Sequence, residues 1–397
     1  MKIGINCLRT WPGYKGGINS FTFGLLGGFV NVGRDYEFNI FINSSNRHLF
    51  EDYAAMANFR LVEVNEYNKP ILRRLYNALP WPVRYERWVT ALFNRVLESE
   101  YDRELESNSD VIFVPYCPSP LFPFPVTPTV YSIHDIQHVH YPEFFTAEQL
   151  AERGINLFQC VEHARLIQAS SRHMRDDFLM NLPGLTADRV SVIPEGVDIE
   201  TFSSRAGTDV RAKYELPERF LFFPAQLWHH KNHITVLKAL KRLRDDGLVV
   251  PLILTGGKYE AADGIFEFIE RNALGDQVYY LGLVPSADIV GLYQTARFLI
   301  TAVLYESSSI PVLEAAAAGT PIIASRTPPN EELAEHLAMT LFPPTDDAVL
   351  AELLVSLWND DGQIRDQVVA NRTSIRHYSW DNAARQYLMA FQSIAAH

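Results

Sequence analysis

Cysteine is scarce in this sequence of 397 residues: it has Cys7, Cys117 and Cys160, with no close CxxC pair. An odd, widely spaced set excludes a disulfide framework and suits free, mostly buried thiols in a reducing compartment. Basic excess is absent as well. The formal net charge is −12 at pH 7, the wrong sign for wholesale nucleic-acid binding. No apolar run is long enough to span a bilayer, and a strand-like segment (2–8) starts at once, so no signal peptide is expected. These absences lead to the expectation of a cytoplasmic protein. The GxGxxG fingerprint of dinucleotide enzymes is missing too, and no short-period repeat is present. What remains is 47% hydrophobic and 21% charged, a globular composition with enough length for two or three domains.

The most informative stretch runs from 298 to 325. Residues 298–303 form an apolar strand, followed by the polar loop Tyr305-Glu306-Ser307-Ser308-Ser309. Pro311 suits the first turn of a helix, where its missing N–H costs nothing. Ala315 to Ala318 has high helix propensity, Gly319 is placed to end the helix, and 320–324 reads as the next buried parallel strand. The helix N-terminus offers unpaired N–H groups and a partial positive charge, which favour a phosphate. Glu306 and Glu314 flank that anion site. Two carboxylates bind an anion poorly but suit sugar hydroxyls on either side of it, the pattern of a nucleotide sugar.

Glu306 and Glu314 within E-SSSIPVL-E-AAAAGTPIIAS resemble the E-x7-E motif of family 4 of the retaining glycosyltransferases. The junction IPEGVDIETF (193–202) resembles that family's IPxGVDxxxF, and Tyr378-Ser379-Trp380 resembles the start of its last helix. The resemblance covers nearly the whole chain. It implies an α/β GT-B fold: two Rossmann-like domains facing across a cleft, with a C-terminal helix crossing back to the first. The corresponding divisions are 1–198 for the acceptor, 199–378 for the donor and 379–397 for the terminal helix. Glu306 is then implied to hold donor-sugar hydroxyls and Glu314 the ribose, with Ser308, Ser309 and Ile310 lining phosphate and sugar.

Other positions follow the same resemblance. Gly16 and Gly17, in a glycine loop between first strand and first helix, match a loop near the donor phosphates; alone, a Gly-Gly pair is more often just a turn. His134, after the strand 129–133, resembles the histidine of the family's HD segment beside the donor sugar. Asp135 is a candidate to orient that imidazole or the loop backbone. His138 and His140 read as loop-packing or surface histidines, and no metal site is expected. After the strand 220–224, Lys231 matches the lysine that stabilises charge on the departing nucleotide. Gln226 stands where the family typically has arginine, a donor of a hydrogen bond but not of charge. Gly256 ends the strand 249–255 at the cleft edge, and Val284 lies in the turn that follows the nucleotide base.

One segment departs from the acidic whole. In 69–95, Lys69, Arg73, Arg74, Arg84, Arg87 and Arg95 interleave with Leu72, Tyr76, Trp81, Tyr85, Trp88 and Phe93, opposed only by Glu86. It reads either as a helical hairpin packing its aromatics inward or as a surface for anionic lipid.

The implied activity is transfer of a hexose from a nucleotide diphosphate sugar to a glycan or lipid-linked acceptor in polysaccharide biosynthesis, on the inner face of the cell membrane if peripheral. The anomeric configuration is retained by a front-face mechanism that needs no metal and no cofactor beyond the donor. GDP-mannose is the first choice of donor, with a lipopolysaccharide-type product. Two alternatives stand beside it: a nucleotide-sugar epimerase of the same fold, for which no acid/base carboxylates stand out, and a catalytically silent sugar- or nucleotide-binding relative, suggested by Gln226.

Overall fold

A computed structural model describes residues 1–10, 17–64, 100–116 and 126–395. Gly16, Cys117 and the basic aromatic stretch 69–95 lie outside them. The described chain divides into two compact units. The first comprises Met1–Ser170, Met174–Ile193 and Asp381–His397; the second comprises Ser171–His173 and Pro194–Trp380.

Among the described residues, the first unit carries a parallel sheet of seven strands: β1 (Lys2–Asn6), β2 (Glu37–Ile42), β3 (Phe59–Glu63), β4 (Val111–Val114), β5 (Thr129–Ser132), β6 (Leu166–Ala169) and β7 (Val190–Val192). Their order is β3-β2-β1-β4-β5-β6-β7. β4, β5 and β6 are buried throughout. Parallel strands covered on both faces need apolar side chains on both faces, which gives short continuous apolar runs rather than alternation. The last helix, Trp380–Ala395, packs Tyr387 and Phe391 against Phe113 of this unit, with ring centroids 5.0 and 5.6 Å away. Tyr387 Oη also shares a 2.7 Å hydrogen bond with Ser132 Oγ.

The second unit repeats the plan with β8 (Leu221–Pro224), β9 (Leu252–Thr255), β10 (Val278–Tyr280), β11 (Phe298–Thr301), β12 (Ile322–Ser325) and β13 (Thr340–Phe342). The order is β10-β9-β8-β11-β12-β13. This is the doubly wound Rossmann arrangement, and the winding reverses between β8 and β11. Crevices at such a reversal, beyond the carboxyl ends of the strands, are where open α/β sheets bind ligands. The helix Ile310–Ala318 forms as expected between β11 and β12, with proline in its first turn; Gly319 ends it at φ 76°, in the left-handed region that glycine adopts without steric cost.

Residues 203–217, between the 193–202 junction and β8, are not open chain. It contains the end of a helix at Ile199–Ser203 and a helical turn at Val210–Lys213, each preceded by an aspartate whose side chain caps the first turn. Val210 is buried, and Lys213 Nζ lies 2.6 Å from Asp288 Oδ2. Helices this short are held by packing and caps rather than by propensity.

Candidate active site

In the second unit, two loops meet where the winding reverses. The chain leaves β8 through Gln226 and Trp228 into a single 3-10 turn, His229–Lys231. It leaves β11 through Leu304 to Glu306. The Leu304 N–H donates to the His230 carbonyl at 2.8 Å. Asn232, at φ 55°, donates its side-chain amide to the carbonyls of Ala302 (2.9 Å) and Pro344 (2.8 Å). These bonds fix one loop on the other, and Lys231 Nζ comes to 3.7 Å from Glu306 Oε2.

Glu306 is 8% exposed. Burial pushes its carboxyl above the usual carboxylate range, while Lys231, Ser309 and Asn330 pull it back toward ionisation. Its Oε1 has no hydrogen-bond partner among the described residues. Ser309, the residue that leads into the helix Ile310–Ala318, is fully buried and makes no side-chain bond to the first helical turn. Ser308 and Ile310 are half-buried at the same end. The positive end of the helix dipole is therefore left without a side-chain cap, beside a lysine.

Glu314 sits further along this helix, half-buried. Its Oε2 accepts a 2.7 Å hydrogen bond from the hydroxyl of Tyr293, a fully buried side chain on the helix Ser286–Thr295. Burial raises the Glu314 pKa to about 7, and the Tyr293 hydroxyl offsets part of that rise. Glu306 and Glu314 thus stand in separate polar settings, one with a lysine and one with a tyrosine.

Gln226 has a specific partner. Its Oε1 accepts from the Gly257 N–H, clasping the loop after β8 to the loop after β9. Gly256 takes φ 120°, and a Cβ there would fall 2.3 Å from the Ala225 carbonyl oxygen. Its own carbonyl accepts from the Tyr280 hydroxyl at 2.7 Å. Val284 turns its side chain into the core.

In the first unit, His134 follows β5. Its Nε2 lies 2.8 Å from the Pro115 carbonyl. A carbonyl can only accept, so Nε2 carries the proton. The ring meets Phe21 edge-on, with centroids 4.7 Å apart. Asp135 orients the backbone rather than this imidazole: it accepts from the Gln137 N–H at 3.0 Å and pairs with Arg153 at 3.2 Å. His138 is buried, and His140 Nε2 lies 2.9 Å from Asp177. Gly17 is the exposed first residue of the helix Gly17–Val32.

The model of the glycosyl transferases group 1 matches residues 208–374, and that of glycosyltransferase family 4 matches residues 15–201. The chain belongs to glycosyltransferase family 4. It is a glycosyltransferase with the GT-B fold. Among similar proteins, the O-antigen chain mannosyltransferase B of Escherichia coli is 26% identical over 286 residues, covering 70% of this chain and 74% of that protein. The D-inositol 3-phosphate glycosyltransferase of Xylanimonas cellulosilytica is 25% identical, covering 66% of this chain and 65% of its own length. Solved structures with the fold include HepE of Anabaena in complex with UDP and glucose. Its TM-score is 0.71 at 19% identity, over 99% of this chain and 100% of that one. WaaG, a glycosyltransferase involved in lipopolysaccharide biosynthesis, has a TM-score of 0.65 at 14% identity and full coverage of both chains.

Sequence reasoning missed Asn232, Tyr293 and Asn330. Asn232 left a faint signal, since asparagine tolerates the left-handed conformation better than most residues. Tyr293 and Asn330 left none, because their partners come from other elements.

Proposed function

We propose that this family 4 enzyme transfers a hexose, mannose first among the candidates, from a nucleoside diphosphate sugar to a glycan or lipid-linked acceptor with retention of anomeric configuration. The observation that carries this reading is the meeting of Lys231 with Glu306 at the winding reversal, beside a helix N-terminus without a side-chain cap. A cation and a helix dipole suit the diphosphate. A buried carboxylate with an unpartnered oxygen suits a sugar hydroxyl.

In this reading Lys231 and the backbone at Ser308, Ser309 and Ile310 take charge from the departing nucleoside diphosphate, together with Gly16 and Gly17. Glu306 accepts hydrogen bonds from the hexose and Glu314 from the ribose. Gly256 and Val284 are assigned to the nucleoside side of the donor, and Gln226 shapes that wall rather than neutralising phosphate. His134 is assigned to the sugar. The bond between the anomeric carbon and the leaving phosphate oxygen breaks, the acceptor oxygen bonds to the same face, and that phosphate oxygen takes the acceptor proton. The protein's share is orientation and electrostatics, with no bound metal. The mannosyltransferase relative supports mannose.

A melting-temperature panel with GDP, UDP, ADP, GDP-mannose and UDP-glucose, in EDTA and then in Mg²⁺, tests the donor. A ligand that binds only the folded chain raises the melting temperature according to its concentration over Kd. The expected result is stabilisation by GDP and GDP-mannose in EDTA. A response confined to UDP compounds overturns the mannose donor, and one confined to Mg²⁺ overturns metal independence. A β-linked product from an α-linked donor, read by NMR, overturns retention.

A further inference from the structure

The 3-10 turn His229–Lys231 is three residues long, and a turn that short does not hold itself. Its N-cap is Trp228, which makes no side-chain cap bond where serine, threonine or aspartate would ordinarily supply one. Yet the turn delivers Lys231 Nζ to 3.7 Å from Glu306 Oε2. A long, flexible side chain keeps such a position at low entropic cost only when its backbone is already fixed. Something other than local propensity fixes this turn.

Three rings supply the hold. His230 stacks on Trp228, with centroids 5.5 Å apart and planes 25° from parallel. Tyr259 meets the same indole at 5.0 Å, tilted by 51°. Tyr259 belongs to the loop after β9, which is zipped to the loop after β8: the Leu227 N–H donates to the Gly257 carbonyl at 3.0 Å and the Ala261 N–H to the Leu227 carbonyl at 3.1 Å. The rings therefore run from an anchored loop, through the N-cap, into the middle of the turn. Backbone bonds carry the hold onward. The Trp228 carbonyl accepts from the Lys231 N–H at 3.1 Å, and the His230 carbonyl accepts from the Leu304 N–H at 2.8 Å, two residues before Glu306. We infer that Trp228, packed against His230 and Tyr259, is a positioning residue for Lys231, fixing the turn so that the ammonium stands at Glu306 and at the site of the departing diphosphate. Trp228 acts through the lysine. Removing the indole leaves the backbone bonds but takes away the side-chain packing that keeps them in register.

This role rests on the reading of Lys231 as the cation for the diphosphate, so two readouts separate them. The first needs no donor. The Glu306 carboxyl is titrated by ¹³C NMR in full-length protein labelled at glutamate carboxyls, its resonance assigned by its loss in Glu306→Gln. A cation drawn away from a carboxylate lets that carboxyl's pKa rise. Trp228→Ala is therefore expected to move the Glu306 titration upward, and to leave it in place when Lys231→Met has already removed the cation. The second readout is release of nucleoside diphosphate from GDP-mannose and from UDP-glucose. Trp228→Ala should lower kcat/KM for release about 10-fold, a loss that disappears in the Lys231→Met background. Trp228→Phe keeps a ring at the N-cap and should restore release to within about 3-fold of wild type. Tyr259→Leu, at a position 43% exposed, loosens the outer end of the ring run; it should shift the Glu306 titration in the same direction and carries the test if Trp228→Ala does not fold. A Glu306 titration that stays in place in the folded variant, or a loss of release that persists undiminished without Lys231, overturns the positioning role. Wild-type release by Lys231→Met, or no release from either donor by the unaltered protein, overturns instead the reading on which it rests.

Discussion

Lys231 Nζ and Glu306 Oε2 lie 3.7 Å apart, with their side chains 18% and 6% exposed. Among the described residues, each is the other's ion-pair partner. A diphosphate drawn to Lys231 would therefore loosen the lysine's hold on Glu306 while bringing sugar hydroxyls toward it. Removing either partner gives different results. Lys231→Met leaves a buried carboxylate without its cation, which should cost about 1–3 kcal/mol at pH 8 and weaken nucleoside diphosphate binding by roughly 10- to 100-fold. Glu306→Gln removes the buried charge, so stability should hold while transfer falls by about 100-fold or more. Melting curves of the double variant provide the check: adding Glu306→Gln should recover stability lost in Lys231→Met. A double variant less stable than Lys231→Met alone contradicts a coupled pair.

The Glu314 carboxyl predicts a pH dependence of stability. Its pKa is raised from an ordinary 4.5 to about 7 in the folded chain, chiefly by burial. Between those values the folded chain retains a proton that the unfolded chain has released, so stability falls as pH rises through this window and is level on either side. The full shift corresponds to about 3 kcal/mol. Glu314 is only half-buried, and water reduces the effect to about 1–2 kcal/mol. Glu314→Gln should accordingly melt about 2–6 °C above wild type at pH 8 and converge with it near pH 4.5. Equal offsets at both pH values would show that the carboxyl is not strained by burial. A group that costs stability in the free protein fits a group retained for a ligand.

Gly256 and Gln226 together shape the turn after β9. Gly256→Ala would need φ 120° and would set a Cβ 2.3 Å from a backbone oxygen, so a loss of about 2–4 kcal/mol is expected. Gln226→Leu should cost about 1–2 kcal/mol by orphaning the Gly257 N–H. Chemical denaturation measures both. Gln226→Arg restores the charge more usual in family 4 but loses the acceptor for Gly257. It should therefore be less stable than wild type while gaining a steeper salt dependence of nucleoside diphosphate binding.

The sequence revealed elements whose causes are local. The unit from β11 to β12 was visible because an apolar run, Pro311, an alanine run and Gly319 each act within a few residues. β13 was not visible: Thr340–Phe342 is three residues long and earns its strand only by pairing with β12. The stretch 203–217 carries little local signal because its capping aspartates mark turns too short to stand alone, and Lys213 finds Asp288 only after folding. At the site, Lys231 and Glu306 stood out singly through the family motifs. Their approach to one another depends on the order of strands in the second sheet, which no local pattern states.

Tyr293 is the part of the site farthest from legibility, since in the sequence it is one more aromatic on an amphipathic helix. Its ring is held edge-on by Phe202 and Phe222, with centroids 5.6 and 5.0 Å away, and its hydroxyl reaches Glu314 Oε2 at 2.7 Å. That hydrogen bond favours the carboxylate, so Tyr293→Phe should raise the Glu314 pKa above about 7 and reduce stability by about 1–2 kcal/mol at pH 8. The ring remains, so packing is little changed. If the hydroxyl acts only through Glu314, the two substitutions are not additive: in a Glu314→Gln background, Tyr293→Phe should cost less by at least about 0.5 kcal/mol. The same cycle applied to nucleoside diphosphate binding tests function. A Tyr293→Phe effect on affinity that disappears in the Glu314→Gln background assigns the tyrosine to orienting the carboxylate, whereas an undiminished effect would mean that Tyr293 acts by another route.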